Sequence, residues 1–282
     1  MSPCSRLDLA GWDGPRSRRR TGARALKAAR ILREKIASGR IVTGVLATDL
    51  LWPALVEYLR KAGYDYLIID LEHGAHAEQT VSEVCALGRM VDFPVLIRPI
   101  DSDYATIRRT IDFGPCGCLL PCVEAATALD EVRDGIYLPP RGRRRPGGPG
   151  NYWVEDFQYE TWKREVEDFF IVLPQIETRH GLANADAIAA HEITTAIAIG
   201  PYDLSADLGV CGTMDAPQMR EAVDIIRRAG ERVGKTMWRI GDGPGLAAEG
   251  FTFLCIAEPM AALKETLRLK NRATREKGSS TE

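Results

Sequence analysis

The sequence predicts a single (β/α)8 barrel, an α/β fold, and three observations lead to this fold class. Short β-branched or aliphatic runs alternate with amphipathic helical segments, which is typical of repeated βα units around a parallel sheet. The chain has 282 residues, and such barrels occupy roughly 250 residues as one domain. No G-x-G-x-x-G fingerprint follows the first predicted strand, so the main alternative, a doubly wound open sheet, is disfavoured.

Eight strand candidates follow one another from about residue 26, and this number favours closure into a barrel. They are Ile41–Leu46, Tyr66–Asp70, Val95–Pro99, Cys118–Leu120, Phe170–Gln175, Ala196–Ile199, Thr236–Arg239 and Phe253–Ile256. Two helix candidates between them carry clear end signals. Trp52–Ala62 is followed by Gly63, a typical C-cap residue, and Pro217–Val233 begins with a proline that suits the first helical turn.

The chain divides into a short leader, one catalytic domain and a tail. Residues 1–25 combine Pro, Gly and a basic cluster without hydrophobic periodicity, so we interpret them as a disordered leader or an incorrectly assigned start. Residues 26–270 form the predicted barrel domain. Residues 271–282 are predicted to be a polar C-terminal tail.

Composition excludes several classes of partner. The formal net charge of −2 gives no reason to expect nucleic acid. No apolar run reaches the ~18 residues that cross a bilayer, and no secretory signal is present, so a cytoplasmic protein without a membrane partner is expected. The seven cysteines are predicted to be reduced thiols. Cys116, Cys118 and Cys122 match no standard zinc spacing and are predicted to be core or strand residues.

A long interruption separates the fourth and fifth predicted strands. Pro139–Gly150 reads PPRGRRRPGGPG, and Tyr152 and Trp153 follow it. A loop of this length in a compact domain is usually functional or disordered. Two interpretations stay open: a solvated basic loop, or a lid whose arginines meet a substrate carboxylate.

Polar residues stand at the carboxyl ends of several predicted strands: Asp70, Glu72 and His73 after the second, Arg98 at the third, Gln175 and Glu177 at the fifth, and Asp203 after the sixth. In a barrel these ends converge on one face, where catalytic residues are found. The sequence therefore predicts one site built from residues that lie far apart along the chain.

These residue types suit enolate chemistry on a 2-oxo acid. Glu177 and Asp203 supply carboxylate oxygens for a hard cation such as Mg²⁺ or Mn²⁺, which would polarise a keto group. Arg98 would meet the negative charge of an enolate. His73 would carry protons, with Asp70 accepting its second N–H directly or through water. Each group also has an ordinary structural interpretation, as a helix cap, a turn residue or a surface ion pair.

Several segments together resemble the HpcH/HpaI aldolases, which include 4-hydroxy-2-oxoheptanedioate and 2-dehydro-3-deoxyglucarate aldolases and macrophomate synthase. The resemblance covers about residues 28–268. It is carried by AGYDYLIIDLEHG at 62–74, Arg98-Pro99, IDFGPCGCLLPCV at 111–123, YLPPRGRR at 137–144, PQIET at 174–178 and GPYDLS at 200–205.

The resemblance implies a barrel of the phosphoenolpyruvate/pyruvate type and a metal-dependent aldolase that joins or separates a pyruvate enolate and an aldehyde. Glu177 and Asp203 would hold the metal, with Co²⁺ or Zn²⁺ as alternatives to Mg²⁺ and Mn²⁺. Asp112, fourteen residues after Arg98, would orient the site. Gln175 would touch a metal-bound water or the substrate. The resemblance also implies a homo-hexamer with sites near subunit contacts.

The resemblance further implies that backbone N–H groups near Tyr202 and Asp203 hold the pyruvate carboxylate. Tyr202 stands where relatives carry a small residue, and Val45 follows Gly44 where many carry tryptophan, so the acceptor stays undefined. Three rival functions stay open: an oxaloacetate decarboxylase or synthase of the macrophomate synthase type, an acyl-CoA lyase of the citrate lyase β type, and a barrel that has lost catalysis.

Overall fold

The computed structural model describes residues 26–145, 147 and 157–278, and in this part of the chain eight parallel strands close into a barrel in chain order. The strands are β1 Val42–Ala47, β2 Tyr66–Asp70, β3 Val95–Arg98, β4 Gly117–Leu120, β5 Ile171–Ile176, β6 Ile197–Ile199, β7 Met237–Ile240 and β8 Phe253–Ala257. The predicted fold class is confirmed. Each predicted strand overlaps an observed one, and corresponding ends differ by at most one residue.

Helices surround the barrel and connect successive strands. They are α1 Lys27–Ala37, α2 Leu55–Lys61, α3 Glu78–Met90, α4 Tyr104–Asp112, α5 Ala126–Ile136, α6 Tyr159–Glu165, α7 Arg179–Ala183, α8 Ala185–Ala190, α9 Pro201–Asp207, α10 Pro217–Arg232, α11 Gly243–Ala248 and α12 Pro259–Gly278. α10 matches its prediction to within one residue. α2 begins later than predicted, and Gly63 after it adopts a φ of +88°, as a C-terminal glycine does.

Two aromatic side chains fill the barrel interior and hydrogen bond to each other. The Tyr66 hydroxyl donates to the Leu254 carbonyl at 2.7 Å, and Trp238 Nε1 donates to the same hydroxyl at 2.8 Å. Both side chains are buried. A Cβ atom on Gly44 would lie 2.1 Å from the Tyr66 ring, so β1 requires glycine where the ring crosses it. The Tyr66 hydroxyl and Trp238 Nε1 thus have hydrogen-bond partners inside an apolar core.

The basic loop after α5 lies at the amino end of the barrel, so Arg141, Arg143 and Arg144 do not form a lid over the carboxyl end of their own chain. α5 runs from the carboxyl end of β4 back to the opposite end, and the loop follows it. Arg141 Nη1 donates to Asp168 Oδ1 at 2.9 Å, just before β5 begins. Arg143 and the buried Arg144 pair with Asp134 and Asp112. These arginines therefore neutralise the chain's own acids. The rest of the loop, with Tyr152 and Trp153, lies outside the described residues, as do residues 1–25.

The C-terminal helix α12 stands away from the barrel. Every described side chain from Met260 to Glu276 is exposed, and the nearest packing partner of α12 is β1. Residues 271–278, assigned to a polar tail from the sequence, continue this helix. No helix in the described part of the chain is long and apolar enough to span a membrane.

We expect Tyr66→Phe to lower the free energy of unfolding by ~2 kcal/mol, because Trp238 Nε1 would stay buried without its acceptor and the Leu254 carbonyl would lose a donor. Urea unfolding measures this change. Tyr58→Phe is the matched control, since Tyr58 is 64% exposed and its loss of a hydroxyl should cost less than about 0.5 kcal/mol. Equal stability of the two variants would contradict the prediction.

Candidate active site

The carboxyl ends of β2 and β3 carry a buried ion pair. Asp70 and Arg98 are the last residues of these strands and lie opposite each other in the sheet register. Arg98 Nε donates to Asp70 Oδ1 at 2.9 Å, and Nη2 donates to Oδ2 at 2.7 Å. Asp70 is fully buried, and Arg98 is 7% exposed. The two parallel hydrogen bonds fix the plane of the guanidinium group.

Asp70 also organises the loop that follows β2. Thr48 Oγ1 donates to its carboxylate at 2.8 Å, and the backbone N–H groups of Glu72 and His73 donate at 3.1 and 3.3 Å. Burial raises the pKa of Asp70, but hydrogen bonds and the charge of Arg98 outweigh burial, so the pKa is lowered. Asp70 therefore stays ionised and keeps Arg98 paired.

Asp70 makes no direct hydrogen bond to the His73 imidazole in this structure, and its oxygens accept from Arg98, Thr48 and backbone N–H groups instead. The His73 side chain is 58% exposed, and its Nε2 lies 3.8 Å from Glu72 Oε2. Glu72 Oε2 is also 3.1 Å from Arg98 Nη1. Glu72 is thus the carboxylate beside the imidazole. The D-x-E-H spacing already placed Glu72 at the carboxyl ends of the strands, the rim of the barrel, but no role was predicted for it.

Glu177 follows β5 and carries a carboxylate oxygen without a hydrogen bond. Its Oε2 accepts from the Cys122 backbone N–H at 2.6 Å, whereas Oε1 is buried and has no partner in the described part of the chain. A Cβ atom on Gly200 would lie 2.0 Å from Oε1. The position of the Glu177 carboxylate therefore requires glycine after β6. Gly200 was not identified from the sequence as a residue of the site.

The pKa of Glu177 is raised to about 7, mainly by burial and also by the charges of Glu72 and Asp203, against the lowering effects of the Cys122 hydrogen bond and the charge of Arg98. Several carboxylates that cannot all be neutralised by Arg98 thus meet at this rim. A bound cation relieves this kind of repulsion between neighbouring carboxylates.

Cys122 departs from its prediction as a core or strand residue. Cys116 and Cys118 are buried, Cys118 within β4, but Cys122 is exposed in the turn after β4. It adopts a φ of +48°, a left-handed conformation that is uncommon without glycine. This conformation belongs to the turn whose N–H reaches Glu177.

Asp203, Tyr202 and Gln175 complete the predicted group at the same rim. Asp203 and Tyr202 are exposed in the first turn of α9, where backbone N–H groups have no acceptor within the helix. Gln175 is 3% exposed, and its Oε1 is buried without a partner among the described residues. A cavity of about 1450 Å³ is lined by His73, Arg98, Gln175, Tyr202 and Asp203, so the structure brings these predicted residues together.

Asp112 is not brought to this site within one chain. It is the last residue of α4, which starts after β3 and runs to the amino end of the barrel. There Arg144 Nη2 donates to its Oδ1 at 2.9 Å. Within one chain α4 thus places the Asp112 carboxylate at the opposite end from this site, so its predicted orienting role stays a prediction that would need a second copy of the chain.

The rim residues fit a hard divalent cation that also binds water. No group of three His, Cys, Asp or Glu side chains in the described residues is close enough to hold a metal by itself. Mg²⁺ usually takes one or two carboxylates and keeps several waters. Glu177 Oε1 and Gln175 Oε1 are buried acceptors that lack donors, and Asp203 adds a carboxylate on the adjoining helix. A closed, all-protein zinc site is not what these residues form.

The fold and the rim define an enzyme of the aldolase or lyase class on a (β/α)8 barrel. The family model of HpcH/HpaI aldolase/citrate lyase matches residues 48–253, and the chain belongs to this family. A hydroxypyruvate/pyruvate aldolase from Pseudomonas aeruginosa is 31% identical over 210 residues, which are 72% of this chain and 76% of that protein.

Two solved structures resemble the barrel. An HpcH/HpaI aldolase from Desulfitobacterium hafniense superposes with a TM-score of 0.80 at 28% identity, covering 87% of this chain and 96% of the other. Macrophomate synthase superposes with a TM-score of 0.76 over 91% of this chain and 90% of its own, and at 21% identity this shows the shared fold.

We expect the metal-free protein to lose stability as the pH rises towards 7, because Glu177 has a folded-state pKa of about 7, above its ordinary value. The folded state then binds the extra proton, so this contribution is complete below the ordinary pKa and is lost as the pH passes the raised one. Glu177→Gln removes the effect. Its advantage over the unaltered protein should grow by ~2 kcal/mol between about pH 5 and about pH 8.

Urea unfolding with a chelator present measures this difference. Glu124→Gln, which removes an exposed carboxylate at the same rim, should follow the unaltered protein at both pH values. A Glu177→Gln advantage that is equal at the two pH values would show that the carboxyl group is not protonated in the folded state.

Proposed function

We propose that this protein is a divalent-metal-dependent aldolase that forms or cleaves a carbon-carbon bond between a pyruvate-type enolate and an aldehyde. The observation that carries the proposal is the orphaned carboxylate oxygen of Glu177 beside the clamped guanidinium of Arg98. The free oxygen of Glu177 suits a cation, and Arg98 holds fixed positive charge where the negative charge of an enolate would develop. The hydroxypyruvate/pyruvate aldolase relative supports a 2-oxo acid of this type as the nucleophile.

Glu177 and Asp203 would hold the cation, with Gln175 directed at a water ligand or the substrate. A bound Mg²⁺ or Mn²⁺ supplies Lewis acidity that polarises the keto oxygen; Co²⁺ and Zn²⁺ are the alternatives. The first turn of α9 offers the N–H groups of Tyr202 and Asp203 to the substrate carboxylate. These contacts orient the 2-oxo acid with its methyl group free to react.

Arg98 and His73 divide the remaining work. Arg98 stays charged, since burial lowers its pKa but the hydrogen bonds and charge of Asp70 raise it more, and its planar fork stabilises the enolate. His73 is exposed at the cavity, where its imidazole would carry protons to and from the substrate. Asp70 acts through both, because it holds the guanidinium plane and the backbone of His73.

The first test follows exchange of the pyruvate methyl protons in deuterated water by NMR, with and without Mg²⁺ or Mn²⁺. We expect metal-dependent exchange that falls at least about a hundredfold in Arg98→Lys, which keeps a charge against Asp70 but loses the planar fork. Arg109→Lys is the matched control, because Arg109 pairs with Glu78 on the surface. Absence of exchange with every metal would reject a pyruvate aldolase.

A second assay separates an aldolase from a decarboxylase or synthase that uses the same enolate. Oxaloacetate is supplied without an aldehyde, and pyruvate formation is compared with the rate of aldol cleavage. Fast decarboxylation with no aldol activity towards any aldehyde would replace the aldolase proposal.

We further propose a homo-oligomer, a hexamer by family resemblance, in which α12 is covered by another copy. An isolated helix is marginal in water, yet α12 spans 20 residues and its described side chains beyond Pro259 are exposed. Met260, Leu263 and Leu267 form an apolar stripe along one side of it, and they are 39%, 45% and 58% exposed. In such an assembly Asp112 of one copy could serve a site of another.

We expect Leu263→Lys combined with Leu267→Lys to lower the oligomeric state, because charges cannot be buried in an apolar contact. Size-exclusion chromatography with light scattering measures the mass. Ala262→Lys with Ala273→Lys adds the same charge to the opposite side of α12 and should leave the assembly intact. Dissociation of both double variants, or of neither, would contradict burial of the stripe.

A further inference from the structure

Glu72 lies between the two basic groups of the site. Its Oε2 is 3.1 Å from Arg98 Nη1 and 3.8 Å from His73 Nε2. Asp70 takes the other edge of the guanidinium group, formed by Nε and Nη2. Both edges of the Arg98 guanidinium group therefore face carboxylates of the same chain.

The two carboxylates hold Arg98 with different strength. Asp70 is fully buried and accepts two hydrogen bonds from Arg98 and others from Thr48 and the backbone. Glu72 has a side chain that is 22% exposed, and its Oε2 lies near Nη1 without the geometry of a hydrogen bond. Asp70 is thus fixed, whereas Glu72 is held mainly by charge and is free to turn.

The Nη1 edge is also the edge that an anionic substrate needs. Asp70 occupies Nε and one donor of Nη2, so three donors are left, and Nη1 is the nitrogen that keeps both of its donors for an enolate or carboxylate oxygen. Arg98 and His73 both line the cavity. The Glu72 carboxylate therefore stands where a substrate oxygen would stand.

We propose that Glu72 is a displaceable counter-ion, which occupies Arg98 Nη1 in the free enzyme and leaves when the anionic oxygen of a 2-oxo acid binds there. The inference rests on the proposed function, since it takes a 2-oxo acid as the ligand. Glu72 is then a positioning residue. It compensates a nearly buried guanidinium group while the site is empty, and it lowers the apparent affinity for the substrate, because only chains with a free Nη1 are ready to bind.

The test compares Glu72→Gln with Glu124→Gln in the full-length protein with saturating Mg²⁺. Glu124 is an exposed carboxylate at the same rim whose Oε1 accepts from Thr178 Oγ1 at 2.8 Å, so its variant controls for loss of one negative charge. Calorimetry gives the dissociation constant of oxalate, a stable anion with the oxygens of a pyruvate enolate. Proton exchange gives KM and kcat for pyruvate separately.

We expect Glu72→Gln to bind oxalate and pyruvate about threefold to tenfold more tightly, while Glu124→Gln stays close to the unaltered protein. Glu72→Ala should shift affinity in the same direction, and urea unfolding checks that each variant folds. Unchanged or weaker binding in the Glu72 variants would overturn the proposal and assign Glu72 to holding substrate or cation. Oxalate binding needs no turnover, so its outcome is separate from a failure of the proposed activity.

Discussion

The ion pair between Asp70 and Arg98 is the interaction on which the rest of the site depends. The register of β2 and β3 sets the two residues side by side, so the pairing is built into the sheet. Removing one partner from a buried pair leaves an uncompensated charge, at a cost of roughly 3–5 kcal/mol. Because Asp70 also binds the backbone of Glu72 and His73, one carboxylate connects the strand ends, the Arg98 guanidinium group and the loop after β2.

The acids across the rim differ from the Asp70–Arg98 pair, because too little positive charge lies near them to neutralise them. Glu177 is buried, has one oxygen without a donor, and has a pKa raised to about 7. Gly200 creates the space for this oxygen, where an alanine would displace it. The arrangement is unfavourable for the metal-free chain, since like charges are held close in a partly dry place. Such repulsion between carboxylates is expected at a functional site where a bound ligand relieves it.

The strands and the rim were predictable from the sequence, because apolar runs mark parallel strands and a barrel gathers their carboxyl ends on one face. The partners of individual side chains could not be predicted from the sequence. Asp112 shows why: the family resemblance assigns it to the site, but within one chain α4 carries it to the far end, where Arg144 binds it. The direction of the helix was the available signal. Cys122 was missed because its apolar neighbours suggest a strand, whereas its left-handed backbone makes a turn.

Under the proposed function, the same geometry separates the part of the site that would perform enolisation from the part that would choose an acceptor. Asp70, Arg98 and Gln175 belong to the strands themselves and are nearly fully buried, so their positions are set by the sheet. Tyr202 is 63% exposed and Met214 is 44% exposed at the same cavity, on segments outside the sheet. Substitutions at these two positions change the cavity wall without touching the Asp70–Arg98 pair. A new acceptor can therefore be selected while the enolate chemistry stays intact, which accounts for many reactions on one barrel.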